Sequence, residues 1–176
     1  MKNIFFALAI FFTLSATAQV KQTVSKSSIT FKIKNMGINT SGNFTGLQAD
    51  IRFDPANLGS SVIDASVDAN TIDTDNGMRD THLKSSDYFD VSRYPRISMK
   101  SVSFKHKSGD NYTGVFNVTI KDKTKTVEVP FTYYASGSMG YFEGSFKINR
   151  LDFGVGDKSM ILSNEATISI QIETSK

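Results

Sequence analysis

The sequence predicts an all-β protein: a closed antiparallel up-and-down barrel of about eight strands, with one short helix. Apolar and polar residues alternate with a period of two through most of the chain after residue 27, as expected for strands with one buried face. Glycines inside several of these segments are typical of strands that bend sharply. Strands do not alternate with long helices, as they would in a parallel sheet. A β-sandwich fits the same alternation and remains the structural alternative.

The alternation covers a series of segments that we interpret as strands. They are residues 28–36, 42–53, 62–72, 96–106, 112–120, 127–133, 142–148 and 166–172. Within residues 96–106, Ile97 and Met99 are in one phase and Phe104 is in the other, which predicts a β-bulge. Pro130 has no N–H to donate to a neighbouring strand, so it predicts an edge, a bulge or a strand end.

The alternation breaks between residues 72 and 96. Asp75-Asn76-Gly77 is a turn signal, and residues 78–85 can form a short helix. This helix carries Arg79, Asp80 and His82, charged and polar groups gathered in one short segment outside the strands. We expect the helix to lie across one mouth of the barrel.

Two roles fit these three residues. In the structural role, Asp80 caps the helix, His82 bonds a strand end, and Arg79 pairs with a carboxylate such as Asp87 or Asp90. In the binding role, Arg79 or His82 contacts a polar or phosphorylated group of a ligand, because a guanidinium can donate two parallel hydrogen bonds to phosphate. The residues alone do not separate these roles.

The interior of a barrel of about eight strands is either filled by side chains or just wide enough for one small ligand. Both a packed core and a narrow apolar tunnel fit this sequence. Strand phase gives the apolar residues that would face the interior and line such a tunnel. They are Phe31, Ile33, Leu47, Ile51, Phe116, Val118, Val129, Phe131, Tyr133, Phe146, Ile148, Ile168 and Ile170.

The first residues predict a secretory signal peptide. Lys2 is followed by an apolar run over residues 4–14 and by Ala16-Thr17-Ala18, a small-x-small cleavage signal. The run is too short to cross a bilayer of about 30 Å as a helix. We therefore expect an exported protein, cleaved after Ala18, with a single domain over residues 19–176.

Composition excludes several kinds of function. The chain has no cysteine, so disulfides, thiolate metal sites and cysteine catalysis are all excluded. Its two separated histidines do not supply the three or four ligands of a zinc site, and no metal is expected. The formal net charge is +3, with signs that alternate along the strands, so nucleic-acid binding is not expected. This small positive excess allows a transient contact with an anionic membrane surface.

Catalysis has one candidate pair. His82 could act as a base oriented by Asp80, which would make the protein a lipid-modifying hydrolase, but no serine stands in a nucleophile-elbow sequence. A closed-core structural or interaction module without a ligand is the other alternative. We predict no enzymatic activity.

Motifs spread over nearly the whole exported chain resemble the YceI-like family. They are Phe31-x-Ile33-x-x-x-Gly37, Gly42-x-Phe44-x-Gly46, Ile51-x-Phe53-Asp54-Pro55, Arg79-Asp80-x-His82-Leu83, Phe89-Asp90-Val91, Tyr94-Pro95 and Asn149-Arg150-x-Asp152-Phe153-Gly154. Their order and spacing together make the resemblance specific.

The resemblance implies a bacterial, periplasmic, lipid-binding protein with an extended lipocalin-like barrel, which also occurs as a homodimer. It implies a long-chain apolar ligand, above all a polyisoprenoid such as a quinone or a prenyl phosphate, and no cofactor beyond such a bound lipid. The sequence departs from the family in two places: Asn35 stands where histidine is common, and Asp122 where glycine is common. Asn35 therefore joins Arg79, Asp80 and His82 as a candidate for the head-group end of the site.

Overall fold

The computed structural model describes residues 20–176, so the predicted signal peptide and its cleavage site lie outside the described residues. The strands are β1 (Thr23–Asn35), β2 (Ile38–Phe44), β3 (Gln48–Arg52), β4 (Val62–Asp68), β5 (Arg96–Ser108), β6 (Asn111–Ile120), β7 (Lys123–Ser136), β8 (Met139–Asn149) and β9 (Leu162–Ser175). The helix α1 spans Gly77–Lys84, and short 3-10 turns lie at Leu58–Ser60, Ala69–Thr71 and Arg150–Phe153. All nine strands belong to one antiparallel sheet with the order β2-β1-β9-β8-β7-β6-β5-β4-β3.

The strand number differs from the expected eight because the segment 42–53 is divided. It contributes the end of β2 and all of β3, separated by a turn at residues 45–47. Gly46 has a φ of +66°, which favours glycine, and a Cβ there would lie 3.0 Å from the Cβ of Asp68. The main-chain N–H of Asp68 donates to the carbonyl of Thr45 at 3.1 Å and holds the turn in place.

The expected closed barrel is wrong: the sheet is an open half-barrel, because β2 and β3 at its two edges do not pair. The outer edge of β2 is paired with the segment that precedes α1. There, Asn43 exchanges main-chain hydrogen bonds of 2.9 and 3.1 Å with Asp73. Across the opening, Gln22 forms an isolated bridge to Ile51. The sheet is also single, so the sandwich alternative does not apply.

Three local predictions are confirmed. The register of β5 against β6 shifts between Ser101 and Ser103, a bulge that leaves Val102 exposed and turns Phe104 into the core. Pro130 pairs with β6, while the ladder to β8 begins at the next residue, so this proline marks a ladder end. The helix begins one residue earlier than expected, where the Asn76 side chain accepts a hydrogen bond from the N–H of Arg79 at 3.0 Å.

Aromatic side chains close one end of the half-barrel. Phe53, which is only 4% exposed, lies at their centre. Ring centroids at 4.9–5.6 Å surround it, and they belong to Phe104, Tyr112, Phe131, Tyr133 and Phe142. Each meets the Phe53 ring edge to face, the arrangement that aromatic quadrupoles favour. These six residues are called the aromatic cluster below.

Candidate functional site

An apolar cavity of about 360 Å³ lies inside the half-barrel. Its wall consists mainly of aliphatic side chains from β1, β3, β4, β5, β8 and β9, and it extends to α1. The aromatic cluster does not line it and closes the opposite end. Since His82 both lines the cavity and is exposed, the cavity reaches the protein surface at α1. This opening is called the mouth.

The structure divides the predicted tunnel residues into two groups. One group lines the cavity: Phe31, Ile33, Leu47, Ile51, Val118, Phe146, Ile148, Ile168 and Ile170. The other group faces inward but does not line it: Phe116, Val129, Phe131 and Tyr133. These four are buried toward the aromatic cluster, so the geometry gives them no direct contact with a molecule in the cavity. Ligand contact by the first group stays a prediction.

The predicted head-group residues also divide. Arg79, His82 and the half-buried Asn35 line the cavity, whereas Asp80 does not. The carboxylate of Asp80 accepts hydrogen bonds from the N–H and the hydroxyl of Thr74 at 3.0 and 2.5 Å. It therefore anchors the chain that leads into α1.

Arg79 binds the same threonine. Its Nε donates to the Thr74 hydroxyl at 2.7 Å, and its Nη2 donates to the Thr74 carbonyl at 2.6 Å. The expected pairing of Arg79 with Asp87 or Asp90 is not formed: Asp90 lies 3.4 Å from Nη1 of Arg93, and Asp87 lies 3.8 Å from Nε2 of His82. Arg79 thus has a structural bond and a position on the cavity wall at the same time.

His82 and Asp80 do not form the base and acid pair of a hydrolase. The Asp80 carboxylate is bound to Thr74, and the carboxylate near His82 Nε2 is that of Asp87, at 3.8 Å. The His82 ring lies edge to face against Tyr88, with centroids 4.9 Å apart. An oriented catalytic base needs a hydrogen-bonded acid partner, which this arrangement does not provide.

The structure adds one cavity-lining charge that sequence reasoning missed. Arg150 is only 4% exposed, and it follows directly after β8. Its guanidinium donates to the carbonyls of Ser163, Val155 and Asp157 at 2.9, 2.8 and 2.7 Å. Nη2 also lies 3.4 Å from the amide oxygen of Asn164. Arg150 belongs to one of the family motifs, but nothing in the sequence pattern marks this arginine as buried.

Exposed apolar residues lie beside the mouth. Met36 and Ile38 belong to the hairpin between β1 and β2, and Met160 and Ile161 precede β9. The N–H of Met36 donates to the carbonyl of Ile161 at 2.7 Å, which joins the two pairs. These four residues are called the apolar rim. The hairpin that carries half of the rim also places Ile33 and Asn35 on the cavity wall.

Residues 20–176 hold no group of three or more His, Cys or carboxylate residues arranged for a metal ion. Within the same range, no helix has the length and apolar character needed to cross a membrane.

A single antiparallel half-barrel, plugged at one end and enclosing an apolar cavity, defines a class of proteins with an internal binding site. The chain belongs to the YceI-like domain family, whose model matches residues 20–174. A UPF0312 protein of Yersinia enterocolitica is 26% identical over 176 residues, which cover 94% of this chain and 91% of the relative. A UPF0312 protein of Vibrio cholerae is 26% identical over 136 residues, which cover 73% and 72%.

Solved structures share the fold. The crystal structure of Burkholderia cenocepacia BcnA superposes with a TM-score of 0.80 at 28% identity, covering 84% of this chain and 95% of that one. A polyisoprenoid binding domain from Saccharophagus degradans superposes with a TM-score of 0.66 at 10% identity, covering 88% and 97%.

Proposed function

We propose that this protein binds and carries a long-chain apolar lipid, with the lipid tail inside the cavity. The observation that carries the proposal is the mainly aliphatic wall of an internal space of about 360 Å³. Such a space is stable when filled by apolar groups that leave water. Membership of the YceI-like family and the polyisoprenoid-binding domain among the structural neighbours support an isoprenoid tail, as in a quinone or a prenyl phosphate.

The volume limits how much tail is enclosed. An apolar cavity of about 150 Å³ holds one benzene molecule, so a space of about 360 Å³ holds roughly 15 carbon atoms. This corresponds to about three isoprene units, and the remainder of a longer tail would extend through the mouth. At about 0.8 kcal/mol for each buried CH₂ group, the enclosed part supplies roughly 12 kcal/mol before the cost of ordering the chain.

We propose binding without catalysis, because His82 and Asp80 have other partners. Export to the periplasm is proposed from the predicted signal peptide, and a homodimer from the family resemblance. The apolar rim supports a transient contact with a membrane surface, since its methionine and isoleucine side chains are exposed beside the mouth.

The lipid-binding proposal is tested by native mass spectrometry of protein purified from the periplasm of its own cells, followed by extraction of the bound lipid. Ala65→Phe and Ala166→Phe each place a ring on the cavity wall, whereas Ala135→Phe adds the same ring at an exposed position near the end of β7. We expect bound lipid in the wild type and in Ala135→Phe, and its loss in both cavity variants. An empty wild type that takes up no quinone, prenyl phosphate or fatty acid overturns the proposal.

The membrane contact is tested by the rate of lipid uptake from phosphatidylethanolamine–phosphatidylglycerol vesicles. Replacing Met36 and Met160 by serine is expected to slow uptake without changing equilibrium affinity, because both side chains lie outside the cavity lining. Val102→Ser is the matched control, since Val102 is equally an exposed apolar residue but lies in the bulge of β5. Equal slowing in the control would argue against a role for the rim.

A further inference from the structure

Arg150 is a buried cation whose bonding partners are neutral oxygens. Three main-chain carbonyls and one side-chain amide surround its guanidinium at 2.7–3.4 Å. Asp157 contributes its carbonyl and not its carboxylate. A buried charge is normally matched by a charge of opposite sign, because neutral dipoles replace the lost water without neutralising it.

Arg79 is the second cation on the same wall, and it also lacks a carboxylate within 4 Å. Within residues 20–176, the arginine ion pairs are those of Arg52 with Asp50 and of Arg93 with Asp90. Asp80 reaches Arg79 only through the hydroxyl of Thr74. The bonds of Arg79 use Nε and Nη2, so its Nη1 has no hydrogen-bond partner within residues 20–176, and the residue lines the cavity.

The two arginines are linked along the cavity wall through Tyr88 and His82. A Cβ on Gly156 would lie 3.1 Å from Nη1 of Arg150 and 2.6 Å from the ring of Tyr88, so these two side chains meet at that glycine. Tyr88 in turn contacts His82 on α1, the helix that carries Arg79. Arg150, Tyr88, His82 and Arg79 all line the cavity.

The geometry points to a mouth that selects lipids with an oxyanion head group, a phosphate or a carboxylate. This inference rests on the proposed function. Arg79 donates directly to the oxyanion, and Arg150 supplies a fixed positive charge that its four bonds hold in place. The carboxylate of Asp87 lies 3.8 Å from Nε2 of His82, and Asp87 does not line the cavity. A neutral head group, such as an alcohol or a quinone ring, leaves the positive charge of the mouth unmatched.

The inference is tested with pairs of ligands that share a tail and differ in charge. Isothermal titration would compare farnesyl monophosphate with farnesol, whose three isoprene units match the volume of the cavity, and palmitate with hexadecanol, on the wild-type protein. We expect each anion to bind at least about tenfold more tightly than its alcohol, a difference of about 1.4 kcal/mol. Inorganic phosphate alone is expected not to displace either lipid, which separates a lipid head group from a free-phosphate site.

Each outcome addresses one statement. Equal affinity for anion and alcohol overturns the oxyanion inference and leaves lipid binding intact. Failure of every lipid to bind overturns the proposed function itself. Displacement by inorganic phosphate at concentrations comparable to those of the lipid anion would also contradict the inference, because the site would then recognise the ion without its tail.

Variants then assign the preference to residues. Arg79→Gln keeps a donor but removes the charge, and it is expected to lower the anion-to-alcohol ratio several-fold while the affinity for the alcohol stays the same. Arg93→Gln is the matched control, because Arg93 is an exposed arginine that pairs with Asp90 away from the cavity. Arg150→Lys keeps the charge and should retain the preference, whereas Arg150→Met should reduce it.

Arg150→Met leaves buried carbonyls without donors, so its folding must be checked by circular dichroism. If it does not fold, the wild-type ratio and Arg79→Gln carry the test. An equal loss of affinity for anion and alcohol in Arg79→Gln would show that this arginine only supports the fold, and would contradict the inference.

Discussion

Replacing Phe53 by alanine removes the ring at the centre of the aromatic cluster. A phenylalanine-to-alanine change in a core costs about 3–5 kcal/mol, from lost transfer free energy and from the cavity left behind. Phe53 is 4% exposed and surrounded by rigid rings that cannot collapse into the vacated space. We therefore expect a decrease of about 4 kcal/mol in the free energy of unfolding. For a domain of this size, that corresponds to a decrease in Tm of about 8–16 °C.

Urea denaturation followed by far-UV circular dichroism measures this change, since the chain has no tryptophan to report by fluorescence. Phe53→Leu keeps most of the volume and is expected to cost less than about 1.5 kcal/mol. Tyr134→Ala removes a ring of similar size from the exposed pair that Tyr134 forms with Tyr141, outside the cluster. That control should change the free energy of unfolding by less than about 1 kcal/mol.

A loss below about 1.5 kcal/mol for Phe53→Ala, or one equal to that of Tyr134→Ala, would refute the reasoning that this ring closes the end of the half-barrel.

Three further predictions concern stability. Thr74→Val removes the hydroxyl that bonds Arg79 and the Asp80 carboxylate. It should lower the free energy of unfolding, measured by urea denaturation, by about 1–3 kcal/mol. A change near zero would contradict a stabilising role for this hydrogen-bond network. Burial, followed by the nearby Tyr112 and Asp54, raises the pKa of the Tyr133 phenol above 10.0. As pH rises, the unfolded chain therefore loses this proton before the folded protein does, so the stability of the wild type should fall above about pH 10. Tyr133→Phe should show a smaller fall between pH 9 and 11. A fall identical to that of the wild type would contradict this prediction. Gly46→Ala should destabilise the protein by about 1–2 kcal/mol, because residue 46 has a positive φ. Gly77→Ala lies in open space at the start of α1 and should be neutral or stabilising. The Tm of Gly46→Ala should therefore be lower than that of Gly77→Ala.

The period-two pattern predicted the strands well because one face of each strand is buried. It located the bulge in β5, the ladder end at Pro130 and the helix at residue 77 to within one position. It missed the division of residues 42–53, since the turn at Gly46 interrupts hydrogen bonding without a strong break in the apolar pattern. It also missed the open edge, which depends on a pairing between Asn43 and Asp73 that local sequence does not encode.

The site was predicted only in part, for a geometric reason. Strand phase tells which face a residue occupies but not its depth along the barrel, so Phe131 and Phe146 were indistinguishable although only Phe146 lines the cavity. Arg150 was missed because its bonding partners are main-chain carbonyls, which leave no trace in the identity of the residues. A salt bridge to an aspartate or glutamate would have been easier to recognise in the sequence.

The aromatic cluster also has a kinetic consequence. In a cavity plugged at one end, a chain molecule enters tail first, leaves head first and uses the same opening both times. Two such molecules cannot pass each other, so an occupied site must empty before it can be refilled. Release is then a first-order step whose rate does not rise with the concentration of competing lipid. In a tube open at both ends, an incoming lipid could instead enter one end and displace the bound molecule through the other.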